Sequence, residues 1–177
     1  FQKRVHRISR VSAAKEEVQD LADALSTSKK PLIVVGGGVK YSEAGEAVEA
    51  FCKEFNIPFG ETQAGKSACH SSDPYCLGGI GVTGTLAANR IAKEADTVLA
   101  IGSRLSDFTT GSKWLFREEG VQVLTINNNR YHAYKMDAIK AVGDAKATLE
   151  ELAKALREKN YRSAYKGEIE SCKAEWD

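Results

Sequence analysis

Gly60-Glu61-Thr62-Gln63-Ala64-Gly65-Lys66-Ser67 matches the phosphate-cradling pattern G-x-x-x-x-G-K-S/T letter for letter. If the setting suits the string, the chain is a nucleotide triphosphatase; if not, the same residues are a loop on another kind of α/β sheet. A phosphate cradle needs a buried strand leading in. It also needs a helix leading out, whose free amides and positive dipole end face the phosphates. The lead-in here is short and interrupted by Pro58, and Ala68-Cys69-His70-Ser71-Ser72-Asp73-Pro74 after it is turn chemistry with no room for a helix. Magnesium would also require an apolar strand ending in Asp. Thr97 to Ile101 ends in Gly102-Ser103, and Val121 to Ile126 ends in Asn127. The expectation is a loop with Lys66 as a cation of unassigned role; a P-loop phosphotransferase stays as an alternative.

Outward from this loop, apolar runs alternate with helical periodicity. Val18, Leu21, Ala22 and Leu25 repeat at helical spacing, with Ser12 the expected N-cap. Leu32-Ile33-Val34-Val35 is a short run apolar throughout, as in a strand covered on both faces, and it ends in Gly36-Gly37-Gly38. Ala44, Ala47, Val48, Phe51 and Phe55 mark a second helix, stopped by Asn56 and Pro58. Further strands are expected at 57–61, 97–101, 121–126 and, more weakly, 139–142. Helices are expected at 83–94 and after Gly143-Asp144, the latter burying Leu149, Leu152, Ala153 and Leu156. Strands of this kind separated by helices predict an α/β fold, a parallel sheet with helices on both faces, Rossmann-like.

The 177 residues suffice for one domain, with 42% hydrophobic and 28% charged residues and a net charge of +1. A charge so close to neutral argues against a nucleic acid or a membrane surface as partner. With no long apolar run, the expected location is cytoplasmic. The four cysteines, Cys52, Cys69, Cys76 and Cys172, include no C-x-x-C pair, so a structural zinc site is not expected. Cys52 reads as a core residue; Cys69 and Cys76 fall in the loop and receive no role. The first ten residues hold four basic side chains and no acid, and 161–177 is polar with no clear apolar face. Residues 1–11 and 161–177 are therefore expected to connect a central domain, 12–160, to what precedes and follows it.

In parallel sheets ligands bind at the carboxyl ends of strands, near the switch in strand order. That rule nominates Gly36 to Val39, Glu61 to Ser67, Gly102 to Asp107 and Asn127 to Asn129, with Thr83 to Thr85 facing the same edge. Gly79 to Gly84 also matches G-x-G-x-x-G without a clean strand before it; a phosphate turn and a packing turn remain open there. Arg104 could grip a pyrophosphate with two parallel bonds, and Asp107 beside it reads as a structural ion-pair partner. His6, His70 and His132 lie far apart and are expected to be solvated or packed rather than ligands.

Taken in order, 31–38, 57–67, 77–85, 95–107 and 142–145 resemble the central domain of the thiamine-diphosphate enzymes that include acetohydroxyacid synthases, pyruvate oxidases and decarboxylases. The resemblance covers roughly residues 12 to 157. It is nearest to a branch that hydrolyses a carbon–carbon bond of a cyclic diketone, on the strength of Glu61 to Ala68, Gly81 to Asn89 and Asp107 to Phe116. It implies an enzyme whose thiamine diphosphate and magnesium are held by flanking catalytic domains of the same polypeptide, assembled as a homodimer or homotetramer. It assigns no catalytic or metal residue to this chain: Gly143-Asp144 is followed by Ala145 rather than Gly, and Asp144 reads as a helix cap. Some relatives bind FAD or ADP in this domain. On that analogy Gly37, Gly81, Thr83, Gly102, Ser103, Arg104 and Asn127 are candidate nucleotide contacts. The FAD-binding members carry Asp where this chain has Asn127-Asn128-Asn129, which weighs against FAD. A scaffold joining the catalytic domains and a stand-alone nucleotide module are both open.

Overall fold

The computed structural model describes residues 2–116 and 120–175; Phe1 and the last two residues of the expected connectors lie outside the described residues. Six strands form one sheet: β1 (Pro31–Val35), β2 (Phe59–Glu61), β3 (Cys76–Gly79), β4 (Thr97–Ile101), β5 (Gln122–Asn127) and β6 (Ile139–Val142). Every pairing is parallel and the order is β3-β2-β1-β4-β5-β6, the doubly wound arrangement with its switch between β1 and β4. β1 and β4 pair in register from Pro31 opposite Thr97 to Val35 opposite Ile101, and all five residues of each are buried. That double-sided burial is why both read as unbroken apolar runs.

Alternation along the strands divides the core in two. Ile33, Val35, Phe59, Leu99, Ile101, Leu124 and Ile126 face one side. There they meet α1 (Lys15–Ser26), α3 (Gly45–Phe55, after the short α2, Gly37–Tyr41) and α7 (Ala145–Glu158). Leu32, Val34, Val98 and Ala100 face the other, under α4 (Leu86–Glu94) and α8 (Glu168–Ala174). Two short helices, α5 (Asp107–Thr110) and α6 (Arg130–Ala133), follow β4 and β5.

The helix ends follow local chemistry, with two departures from the expectations. Thr85 caps α4 by accepting from the Ala88 amide at 3.1 Å, and Asp144 caps α7 by accepting from Ala147 at 3.1 Å. Ser12 does not cap α1; the N-cap is Ala14, because the preceding residues are drawn onto α7, where the Ala13 amide donates to Thr148 Oγ1 at 3.1 Å. Residues 161–175, which lack an obvious apolar face in sequence, bury Tyr165, Ile169 and Cys172 against α4. Only Ile169 and Cys172 lie on α8, and Tyr165 precedes its Gly167 cap, so the buried set follows no helical period that would stand out among polar neighbours.

Candidate functional site

The eight-residue phosphate pattern fails in three dimensions for the reason its neighbours suggested. β2 is three residues long and runs into a single 3-10 turn, Gln63–Gly65; the next regular element is β3. The Gly65 amide is taken by Thr62, and Gly65 lies so close to Val35 that a Cβ would meet its carbonyl oxygen at 2.1 Å. These glycines serve close packing of a loop on the sheet edge, and Lys66 is exposed.

Beneath that loop Glu61 is buried at the end of β2, with 7% of its surface accessible. Its Oε1 has no hydrogen-bond partner among the described residues. Burial raises its pKa, opposed by hydrogen bonds from the Cys69 and Ser67 amides and by the Lys66 charge. Cys52, Cys69, Cys76 and Cys172 are all buried free thiols. Burial, reinforced by Glu49 and Glu61, pushes Cys69 up to about 12. Burial also raises the other three, so none is a poised thiolate. His70, over the same loop, holds Glu49 at 2.9 Å.

At the carboxyl edge of the sheet a cleft of about 1100 Å³ opens across the switch point. Of the seven nominated contacts, Gly37, Gly102, Ser103, Arg104 and Asn127 line it. Gly81 and Thr83 do not. Gly81 backs onto α5, where a Cβ would meet the Phe108 oxygen at 2.3 Å, and its amide donates to Asn89 Oδ1 at 3.0 Å. Thr83 is exposed outside the cleft. The packing reading of the Gly79 to Gly84 turn is the one its contacts support.

At the floor of the cleft the chain satisfies itself. A Cβ on Gly36 or on Gly38 would strike Gly102 within 2.6 Å, and the Gly38 amide donates to the Gly102 carbonyl at 3.0 Å. Gly102 itself adopts φ +61, a conformation open to glycine. The glycines that follow β1 and β4 thus close the crevice by packing backbone on backbone. Asn127 spends both ends of its amide: Nδ2 donates to the Ser103 carbonyl at 3.0 Å and Oδ1 accepts from the Asn129 amide at 2.9 Å. Ser103 Oγ accepts from the Leu105 amide at 3.2 Å. Arg104 is exposed and unpaired with Asp107, so the expected ion pair does not form.

One wall of the cleft was not visible in the sequence. Ile8 to Val11 lie along it, pinned by Arg10, which donates to Asp144 Oδ2 at 3.2 Å and to Glu43 Oε2 at 2.9 Å. Ser42 Oγ donates to the same Asp144 oxygen at 2.7 Å. Burial alone would raise Asp144, but the Ser42 hydroxyl, the Ala147 amide and Arg10 outweigh it and hold its pKa below the ordinary value. His132 also lines the cleft, its Nδ1 buried without a partner among the described residues. No pattern in sequence joins residue 10 to residues 42 and 144; only the topology does.

Thiamine diphosphate and magnesium do not fit the residues present. Asp144, the one acid in a Gly-Asp context, is committed to capping α7 and holding Arg10. No group of three His, Cys, Asp or Glu side chains suited to a metal occurs among the described residues. No helix among them is long and apolar enough to cross a membrane.

Comparison with known proteins agrees with this fold. The chain is 55% identical to the 3D-(3,5/4)-trihydroxycyclohexane-1,2-dione hydrolase of Clostridium botulinum, over 99% of this chain and 27% of that protein. It is 56% identical to the protein of that name from Clostridium perfringens, over 99% and 28%. For the one from Bacillus thuringiensis the identity is 53%, over 100% and 28%. The chain thus spans little more than a quarter of the length of these relatives. In fold it resembles a thiamin diphosphate-dependent enzyme from Mycobacterium smegmatis, with a TM-score of 0.69 and 21% identity over 86% of this chain and 30% of that one. Residues 18–152 match the family described as "Thiamine pyrophosphate enzyme, central domain", and the chain belongs to that family.

Proposed function

We propose that this chain is the central, non-catalytic domain of a thiamine-diphosphate-dependent hydrolase that opens the ring of a trihydroxycyclohexane-1,2-dione, and that it works as the scaffold between the catalytic domains. The observation that carries the reading is identity of 51–56% to hydrolases of that name over essentially the whole chain. The self-satisfied floor of the cleft supports the scaffold role: its glycines, Ser103 and Asn127 are occupied with one another. In the full-length protein, thiamine diphosphate supplies an electron sink for carbon–carbon cleavage, held with magnesium by domains outside this chain. A cytoplasmic homodimer or homotetramer is the expected assembly. The test is to supply the full-length polypeptide with thiamine diphosphate and magnesium and follow loss of the cyclic dione. Ring opening is expected; a full-length protein that leaves the dione intact overturns the reading.

A second reading, a module for ADP or FAD, draws on the size of the cleft and on the exposed Arg104 at its edge. Against it stands Asn127-Asn128-Asn129, which offers no acid to a ribose diol at the end of β5. Calorimetric titration with ADP and with FAD separates the two: heat of binding supports the module, and its absence with both ligands supports the scaffold.

A further inference from the structure

Four large apolar side chains stand exposed at one corner of the molecule, on and beside α4: Val82 (63% accessible), Leu86 (56%), Phe108 (42%) and Trp114 (51%). Two contacts place them: one joins Val82 to Phe108, and the other joins Trp114 to α4 through Lys93. The Val82 amide donates to the Phe108 carbonyl at 3.0 Å. Leu86 and Lys93 sit two helical turns apart on one face of α4, and Lys93 Nζ lies 3.6 Å from the centre of the Trp114 ring. Their loops are anchored from beneath, since Leu105, Leu115 and Phe116 are buried in the core under α4. A fixed cluster of large apolar groups left in water marks a surface that something else covers.

The path of the chain says what covers it. α8 lies on α4 through Ile169 and Cys172, with Tyr165 before it packed into the same cluster, and Glu175, the last described residue, pairs with Arg90 in the middle of α4. Arg90 is one turn from Leu86 and one turn from Lys93. Glu175 therefore stands beside the exposed residues of α4, and the relatives are more than three times as long as this chain. We infer that the corner formed by Val82, Leu86, Phe108 and Trp114 is a docking surface, and that its occupant is the part of the full-length polypeptide that follows residue 177. This rests on reading the chain as an internal domain of a longer enzyme.

The test uses the full-length protein. Hydroxyl-radical labelling read by mass spectrometry reports side-chain access, and an amine-directed cross-linker at Lys93 reports the neighbour. The expected result is loss of labelling at Trp114 and Leu86 in the native protein relative to the unfolded one, with Lys93 joined to residues numbered beyond 177. In Leu86→Glu, labelling at Trp114 should return. Labelling of native Trp114 and Leu86 at the level of half-exposed side chains overturns the inference. So does protection that fades on dilution, which gives the corner to a second copy, and so does a cross-link to residues preceding this chain. Ring-opening activity is read in parallel: activity with an unprotected Trp114 removes only this inference, whereas inactivity removes the functional reading itself.

Discussion

The two faces of the sheet are built differently. On one, α1, α3 and α7 cover the strands, and large side chains fill the space: Phe51, Phe55, Phe59, Leu124 and Ile126 are nearly or wholly inaccessible. On the other, α4 contributes Ala87, Ala88, Ile91 and Ala92, and among the described residues the short α8 joins it as a second helix. The first face is closed within this chain. The second keeps Leu86, Val82 and Trp114 in water at its rim. Sequence alone treats the two sides alike, because a doubly buried strand reads as apolar whichever helix covers it. What differs is how much of the cover this chain supplies.

The largest effect should come from the closed face. Phe55 is 2% accessible, with its ring 4.7 Å from Phe51 and 6.4 Å from Tyr161. Phe55→Ala leaves a cavity held open by those neighbours and should cost about 3–5 kcal/mol in urea unfolding. Ile91→Ala on α4 removes a comparably buried group from the open face. There α4 can settle toward the sheet, so the loss should fall near 2 kcal/mol, the low end of such truncations. Equal losses would mean that the faces are equally rigid.

Next in size is the join at the switch point. Gly102→Ala places a methyl 2.6 Å from Gly38 Cα at φ +61. Gly120→Ala, at φ +95 with nothing within 4 Å among the described residues, meets mainly the conformational cost. The second change should cost about 1–2 kcal/mol. The first should exceed it, because β1 and β4 must part to admit the methyl. Matching melting shifts in the two variants would show that the turn yields, and that the crevice has room for a ligand after all.

A smaller, pH-dependent effect belongs to Glu61, which like Phe59 two residues before it points to the closed face. Burial raises its folded pKa above the ordinary value of 4.5, against the Cys69 and Ser67 amides. An acid shifted upward contributes its stability below the unfolded pKa and loses it as pH rises through the folded one. Stability of the unaltered chain should thus decline from pH 4.5 upward into its raised range. Glu61→Gln should remove that decline and leave the chain more stable at neutral pH. Asp144 works in the opposite sense. Burial raises it, but Ser42, Ala147 and Arg10 hold it below 3.8, so its contribution is present above that pH and lost on acidification. A titration of unfolding free energy in Glu61→Gln and in Asp144→Asn that shows no difference in slope from the unaltered chain would contradict these assignments.

Much of the fold was legible because burial imposes composition. Leu32 to Val35 and Thr97 to Ile101 can be little else than central strands, and Asp144 followed by a helical stripe is a cap. The short α2 was hidden because Gly37 and Gly38 oppose helix; close packing of Gly37 on Ala64 and of Gly38 on Gly102, not propensity, fixes their geometry. At the site, Gly37, Gly102, Ser103, Arg104 and Asn127 meet because strand ends converge at the switch, which follows from topology. Gly81 and Thr83 belong to a turn drawn off toward α5. Arg10 was out of reach, since its partners, Ser42, Glu43 and Asp144, come from distant stretches of sequence. Nor does a sequence reveal that glycines at a ligand edge spend their smallness on each other.

The smallest expected effect tests whether the open rim is ordered within this chain. Lys93 Nζ sits 3.6 Å over the Trp114 ring, and both side chains are exposed. A cation on an aromatic face in water contributes only about 0.5–1 kcal/mol. Lys93→Met keeps most of the aliphatic stem and removes the charge, so the loss should not exceed that range, and Lys93→Arg should restore it. If Lys93→Met instead costs as much as Ile91→Ala, Trp114 is part of the core of this face rather than its rim. The open face would then be closed by this chain after all, with no vacancy for a neighbouring segment to fill.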